Sequence, residues 1–418
     1  MRHVPDPSAT AGYGLGDPEF RRIRAALFAA GVATFAALYC TQPLLPTLSA
    51  AFSVSPAQAA LSVSVTTLGL GIGLLLVGPV SEVRGRTWLI RGSLIVSALV
   101  GLACAVAPSW PVLLVLRGVQ GLTLAGLPAV ATAYLREEVS PGAYARATGL
   151  YVGGTAVGGM AGRLVAGALA DVGGWRAAVA GVGVLGLLCA VLVVRLLPDS
   201  RGFRPAPASA GHAVRQLGQL LKDPVLLGLY AVGGTLMGAF IAVYNALGFR
   251  LEAPPYGLSV GLAGLVFLVY PIGSVGSVLA GRLTDRFGQR PVVPVCVAVM
   301  VLGILLTLAR PLPLVVLGVA VMTFGFFAAH GVASGWVAAR AAAGSGGAGQ
   351  AAGLYLLCYY LGSTVAGTLA GSAWTDGGWP RVVLLAVALS AAGGLLTLLL
   401  ARTQRLTTPP RQPVPVQG

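Results

Sequence analysis

Apolar stretches near 25–48, 59–81, 88–107, 111–135, 146–170, 175–196, 224–249, 258–281, 291–309, 311–337, 349–373 and 380–401 divide the chain into twelve runs. Each is close to the roughly 20 apolar residues a helix needs to cross the hydrocarbon core. The fold class this implies is an all-α polytopic membrane protein with twelve transmembrane helices. Composition agrees, because 56% of the 418 residues are hydrophobic and only 9% are charged, against about 25% charged in an average soluble domain. A soluble enzyme is excluded.

The charges that remain are informative by position. Of 27 basic residues, 21 fall on the N-terminal side of the alternating spans, four (Arg176, Arg250, Arg310, Arg381) fall on the opposite side, and Arg117 and Arg163 lie within spans. The positive-inside rule therefore places both termini in the cytoplasm of a cell (inner) membrane. Lys222, the only lysine, sits in Leu220-Leu221-Lys222-Asp223 without a glycine loop, so no phosphate-cradling ATPase motif is expected. Cys40, Cys104, Cys189, Cys296 and Cys358 fall singly in apolar runs and read as buried hydrophobes rather than metal ligands. The six tryptophans fall at predicted span ends, where an amphipathic indole prefers to sit. Residues 1–24 are polar and end in Arg21-Arg22-Ile23-Arg24, so the first apolar run is expected to remain as a span rather than be cleaved.

The chain also repeats itself at a period near 204 residues. Gly78, Glu82, Gly85 and Arg86 recur as Gly281, Asp285, Gly288 and Arg290; Gly149-Leu150-Tyr151 recurs as Gly353-Leu354-Tyr355; and Asp171-x-Gly173-Gly174-Trp175 recurs as Asp376-Gly377-Gly378-Trp379. A period of six helices, an even number, gives two parallel six-helix repeats related about the membrane normal. The expected organisation is a cytoplasmic tail at 1–24, an N-terminal bundle at 25–196, a linker at 197–223, a C-terminal bundle at 224–401 and a Pro-rich cytoplasmic tail at 402–418. The linker carries Val214, Leu217 and Leu221 at helical spacing beside Arg215 and Lys222, which predicts an amphipathic turn or two at the surface.

At these residues the sequence resembles the major facilitator superfamily. The repeated loop looks like that family's glycine, acid, glycine, basic signature between helices two and three and between eight and nine, and Arg117-Gly118-x-Gln120-Gly121 looks like its helix-four motif. Gly154-Thr155-Ala156-Val157-Gly158-Gly159 resembles the helix-five signature of twelve-span drug:proton antiporters, with Thr155 where those usually carry proline. Gln42-Pro43-Leu44-Leu45-Pro46, Gly158-Gly159-Met160-Ala161-Gly162-Arg163 and Phe326-Phe327-Ala328-Ala329-His330 look like the YnfM-like (sugar/drug efflux-like) branch. The resemblance implies the major facilitator fold and transport by alternating access.

The individual residues can be read without the family. Glu82 and Asp285, among Arg84, Arg86, Arg286 and Arg290, could pair one bundle with the other when the cytoplasmic side is closed, a latch; the alternative is a topology signal in solvated turns. Gly154, Gly158, Gly159 and Gly162 put small faces along helix five, for close packing or for sliding. Arginines within spans are costly, about 2.5 to 3.5 kcal/mol on insertion scales, and so usually face a cavity or a partner. Arg163 is a candidate substrate contact, or a side chain that snorkels or pairs with Asp171. Arg117 and Asp171 join His330, the only deep side chain that ordinarily titrates near neutral pH, as candidates for proton coupling; helix packing is the alternative for His330. Tyr39, Gln42, Tyr244, Asn245, Tyr151, Tyr355 and Tyr359 complete a candidate binding site with aromatic walls, interhelical hydrogen bonding being the alternative for Asn245.

The function these readings favour is a secondary transporter performing proton-coupled efflux of a small neutral or anionic organic molecule. An uptake symporter is the alternative. A channel or a membrane enzyme fits less well, since neither a filter loop nor a nucleophile with a base is apparent. No cofactor or metal is expected, the proton gradient being the energy source; the expected partners are the bilayer and the small-molecule substrate, with no nucleic acid, and a monomer is expected.

Overall fold

The computed structural model describes residues 12–203, 210–344 and 347–403, with the side chains of 78, 79, 82 and 210–214 outside the description. Among the described residues fourteen α-helices follow one another: α1 (Pro18–Tyr39), α2 (Leu45–Phe52), α3 (Pro56–Arg84), α4 (Arg86–Ala105), α5 (Trp110–Leu124), α6 (Gly126–Glu138), α7 (Pro141–Leu196), α8 (Ala210–Leu220), α9 (Pro224–Glu252), α10 (Val260–Gly264), α11 (Tyr270–Phe287), α12 (Gln289–Leu306), α13 (Leu312–Ala343) and α14 (Ala348–Ala401). Proline stands in the first turn of α1, α3, α5, α7, α9 and α13, where its missing N–H costs no helical bond. Ser55 and Gln58 form a reciprocal cap at the start of α3.

Two helices are too long for one crossing. α7 has 56 residues and α14 has 54, about 80 Å each at 1.5 Å per residue, more than twice the hydrocarbon thickness. Each folds back at a glycine pair. Gly174 (φ 69°) and Gly378 (φ 62°) adopt the left-handed backbone that residues with a Cβ avoid, so the repeated Gly-Gly-Trp is a hairpin turn in both halves. The packing shows the reversal. Gly154, Gly158 and Gly162 track Phe28, Val32 and Ala36 of α1 in parallel, whereas Gly183 and Gly186 meet Leu102 and Ala98 of α4 in antiparallel order. In the second half Gly362 meets Gly234 and Gly367 meets Ile241 of α9 in parallel, while Gly393 and Leu400 meet Thr235 and Gly228 in antiparallel order. With these two turns the described helices make twelve passes between the face at which the described residues begin and end, the termini face, and the opposite, far face.

Three passes break where a single span reads from the sequence. The first run, 25–48, is α1 and α2 separated by Cys40–Leu44, because Pro43 cannot continue the helix. The fourth is α5 and α6, broken at Ala125, three residues before Pro128. The eighth begins as α10, tightens into a 3-10 turn over Leu265–Val269 and resumes as α11, with Pro271 in its first turn. The tryptophans also depart from expectation. Trp88 is exposed, but Trp175, Trp336 and Trp379 are buried at 5 to 6% exposure, and Trp379 donates its indole N–H to the Thr307 carbonyl at 3.1 Å. These three are packing residues, not interface anchors.

Leu76, Val115, Leu188, Val275, Leu302, Leu384 and Leu395 are more than half exposed on six helices, the belt a bilayer would cover. The linker is tied at both ends. Glu138 accepts the backbone N–H groups of Arg201 and Gly202, and Leu217 and Leu220 of α8 pack on the second bundle's core. Asp223 caps α9 through Val225 N and receives Arg340 Nε at 2.8 Å. Burial alone would raise the Asp223 carboxyl, but the bonds from Arg340 and Val225 outweigh it and hold it below the usual carboxylate range.

Candidate functional site

Arg163, on α7, is fully buried and stands where the two bundles meet. Its Nε donates to Gln42 Oε1 at 2.7 Å, Nη1 to the Gly159 carbonyl at 2.5 Å and Nη2 to the Tyr270 hydroxyl at 3.0 Å. The guanidinium carbon lies 4.3 Å from the ring centre of Tyr39, 4.7 Å from Tyr270 and 4.9 Å from Phe267. Tyr39 and Gln42 belong to the first bundle; Phe267 and Tyr270 belong to the second. Gln42 continues the chain by donating Nε2 to Asn245 Oδ1 at 2.7 Å. The break after α1 sets the Gln42 amide at this depth, and the 3-10 turn before α11 brings Phe267 and Tyr270 to the same side chain. The sequence expectation that Arg163 pairs with Asp171 is not met. Asp171 instead accepts from Ser259 Oγ at 2.7 Å and Gly261 N at 3.1 Å, at the start of α10 in the other bundle.

Arg117 is equally buried but belongs to one bundle. Its Nε donates to the Ser62 carbonyl at 3.1 Å, Nη1 to the Ala37 carbonyl at 2.9 Å and Gln120 Oε1 at 2.6 Å, and Nη2 to the Leu38 carbonyl at 2.9 Å and Thr41 Oγ1 at 3.4 Å. Two of these carbonyls are the orphans left at the end of α1. All five guanidinium N–H groups are thereby committed, with the Cys40 thiol a further contact of Nη1 at 3.6 Å, so the geometry makes Arg117 a clamp on the broken first pass and brings it to no carboxylate or histidine among the described residues.

His330 lies in a second cluster nearer the termini face. Its Nδ1 is 3.0 Å from the Tyr355 hydroxyl, and its ring centre lies 4.8 Å from Tyr359 and 5.9 Å from Phe326. His330, Tyr359 and Phe327 stay partly exposed although they sit in mid-helix. Phe240, Phe326 and Phe327 link this cluster to Tyr270 and Tyr244 through ring centres 4.0 to 6.1 Å apart. Tyr244 bonds Thr323 Oγ1 at 2.8 Å and, with Gln42 and Phe267, lines a small crevice on the far side of the Arg163 layer. Tyr151 is buried within the first bundle's core. Phe267, Tyr270, Phe240, Phe326 and Phe327 were not among the residues singled out from the sequence as candidate contacts. Tyr270 had a signal: a phenol in mid-run, immediately before a helix-bending proline.

The small faces divide by role. A Cβ on Gly154, Gly158 or Gly162 would come within 3.0 Å of the backbone of α1, so these three seat α7 on α1 inside one bundle. Gly159 instead faces the interface and gives its carbonyl to Arg163.

Among the described residues the hydrogen bonds that join the bundles lie in one region. Besides the Arg163 and Asp171 contacts, Ser64 Oγ meets the Thr364 carbonyl at 3.1 Å and Thr368 Oγ1 at 3.2 Å, and Thr67 Oγ1 meets Thr364 Oγ1 at 3.3 Å. All lie between mid-helix and the far face. Among the described residues no hydrogen bond or ion pair joins the bundles on the termini half, and the four ion pairs each stay within one bundle or between it and the linker. The repeated loops follow this pattern. Arg86 pairs with Glu137 of its own bundle at 3.0 Å, Arg290 donates to the Ala401 carbonyl at 3.0 Å, and Asp285 and Arg286 are exposed. Gly85 (φ 95°) and Gly288 (φ 82°) end α3 and α11 at equivalent places, and nothing lies within 4 Å of a Cβ built on Gly281. Gly78 and Glu82 lie on α3, but their side chains fall outside the described residues.

Comparison with known proteins agrees with this architecture. Residues 27–255 and 251–417 match the Major Facilitator Superfamily. The chain is 40% identical over 385 residues to the uncharacterized MFS-type transporter YybF of Bacillus subtilis, covering 91% of this chain and 95% of that one. It is 41% identical over 367 residues to the inner membrane transport protein YnfM of Escherichia coli, covering 88% and 87%. Among solved structures, a bacterial homolog of the human lysosomal transporter Spinster superposes with a TM-score of 0.70 at 17% identity, covering 92% of this chain and 96% of that one. A D-xylose-proton symporter does so at 0.70 and 17%, covering 92% and 98%. A family match along both bundles, relatives at 40% identity or more over most of their length and twelve helical passes in two repeats establish that this chain is a multi-pass membrane transporter belonging to the Major Facilitator Superfamily.

Proposed function

We propose that this transporter works by alternating access and exports a small neutral or anionic organic molecule in exchange for protons that enter down their gradient, with both termini in the cytoplasm. The observation that carries the substrate class is the sign of the deep charge. Arg163 is buried at the meeting of the bundles, and among the described residues no carboxylate lies in the middle of a pass. A cation entering there meets only repulsion in a medium that screens poorly, whereas a hydroxyl, carbonyl or carboxylate acceptor can exchange into charge-assisted hydrogen bonds. The partial exposure of His330, Phe327 and Tyr359 in mid-helix supports a binding space beside these side chains. The cross-bundle hydrogen bonds of the described residues, which lie in the far half, support a cavity that opens toward the termini face in this conformation, and export accords with the resemblance to efflux proteins.

His330 is the proposed proton carrier, because it borders that space and its Nδ1 meets a second-bundle phenol. Asp171 is the alternative, favoured by its position across the bundle junction. Reconstitution into liposomes tests both parts. His330→Ala is expected to retain counterflow but lose accumulation driven by a pH gradient; survival of gradient-driven accumulation moves the coupling to Asp171. Saturable export of a permanent cation such as ethidium, insensitive to Arg163→Ala, would overturn the substrate class.

A further inference from the structure

Arg163 has an environment that a substrate contact alone does not require. Three rings surround its guanidinium, one from the first bundle and two from the second, and its hydrogen-bond acceptors are a carbonyl, an amide and a phenol. No carboxylate is among its recorded partners. A buried cation without a counter-ion depends on ring quadrupoles and neutral acceptors, and converging ring faces are what proteins use to bind ammonium or guanidinium ligands. We propose that Arg163 is the tethered occupant of a cation cage built jointly by the two bundles. Its residence there holds the far half closed and keeps cationic ligands out of the cage.

The geometry gives two ways in which the cation secures the junction. Separation of the bundles takes the Phe267 and Tyr270 rings and the Tyr270 hydroxyl away from a charge that stays with α7. The second way runs through an amide. Arg163 Nε requires an oxygen from Gln42, so the Gln42 NH2 must point at Asn245 Oδ1. Without the guanidinium only the long 3.5 Å bond from Asn245 Nδ2 to the Gly367 carbonyl orients the amide pair, and a flipped Gln42 amide would oppose its own oxygen to Asn245 Oδ1. Arg163 thus sets a cross-bundle bond it does not itself make. The inference is independent of the direction of transport and of the coupling ion, and its test reads conformation rather than flux.

The test uses the full-length protein in membranes, with the five native cysteines replaced and Ser64→Cys paired with Thr368→Cys as a reporter, since those hydroxyls lie 3.2 Å apart across the far half. The parent is expected to cross-link readily on oxidation. Arg163→Ala should cut the yield by about tenfold, the loss of one hydrogen-bonded charge. Methylguanidinium should restore it, whereas urea, planar but uncharged, should not. The same variant should gain saturable binding of methylguanidinium that the parent lacks. An unchanged cross-link in Arg163→Ala overturns the closure role. A lost cross-link that methylguanidinium does not restore, in a variant with the parent's melting profile, overturns the cage. If Arg163→Ala does not fold, Tyr39→Leu keeps the arginine and removes one wall; the proposal then requires a loss of about threefold, and an undiminished yield contradicts it.

Discussion

The two buried arginines show how the same side chain, placed at similar depth, takes on different work. Arg117 spends its donors on backbone carbonyls and side chains of a single bundle, and Arg163 divides its contacts between two. Their substitutions should separate accordingly. Arg117→Ala strands several buried carbonyls, each costing about 1 to 3 kcal/mol, so it should lower the unfolding temperature in detergent by more than Arg163→Ala does. Equal melting of the two variants would contradict the division. Asp223 supplies a pH-dependent case outside the membrane passes. Its carboxyl is held below the usual carboxylate range, so its contribution is complete above the unfolded-state value and is lost as pH falls through the lower folded value. Asp223→Asn keeps an N-cap acceptor but loses the half-buried ion pair with Arg340, and should therefore lower stability at neutral pH by about 1 kcal/mol. The difference from the parent should shrink in acid, and a difference independent of pH would remove the carboxylate from the account.

At the scale of the helix, the sequence carried the number of passes but not their interruptions. Apolar run length is set by bilayer thickness and so can be counted. The breaks at Cys40–Leu44, Ala125 and Leu265–Val269 depend on which neighbouring side chain caps the freed carbonyls, as Arg117 does for α1, and that is a tertiary fact. For the same reason Arg163, Gln42, Tyr39, Tyr244 and Asn245 could be named from residue type and depth, while the cage could not, because Phe267 and Tyr270 reach it through a 3-10 turn absent from the hydrophobic pattern. The glycines of α7 illustrate what periodicity does resolve. A Cβ at Gly158 would press within 3.0 Å of Val32 backbone, whereas one at Gly153 meets nothing within 4 Å. Gly158→Ala should destabilise by about 1 to 3 kcal/mol, and Gly153→Ala should be neutral or stabilise by up to about 1 kcal/mol. Thermal unfolding of the two variants side by side checks this, and equal effects would mean that the α1–α7 contact is looser than drawn.

For the whole molecule, the repeat supplies two bodies of the same hand, and the polar contacts fix where those bodies touch. Hydroxyls of Ser64, Thr67, Thr364 and Thr368 form a seam that can be broken and remade at low cost, since each partner exchanges one neutral hydrogen bond for another or for water. The proposed orientation rests on the charge asymmetry of the loops. A reporter fused after Arg402 should register the cytoplasm and one inserted at Gly257 should register the opposite side; the reverse would overturn the orientation. Arg86 and Arg290 bond within their own bundles and Asp285 is exposed. The central claim is that the bundles rock as bodies about the Arg163 layer, one face closing as the other opens. Its most direct measurement is a pair of spin-label distances in nanodiscs, in a background without native cysteines. Val83→Cys with Phe287→Cys reports the termini face, and Val172→Cys with Gly257→Cys reports the far face. On introducing Arg163→Ala the account predicts opposite changes, the termini-face distance shortening while the far-face distance lengthens. Lengthening at both faces, or no change at the far face, would contradict it.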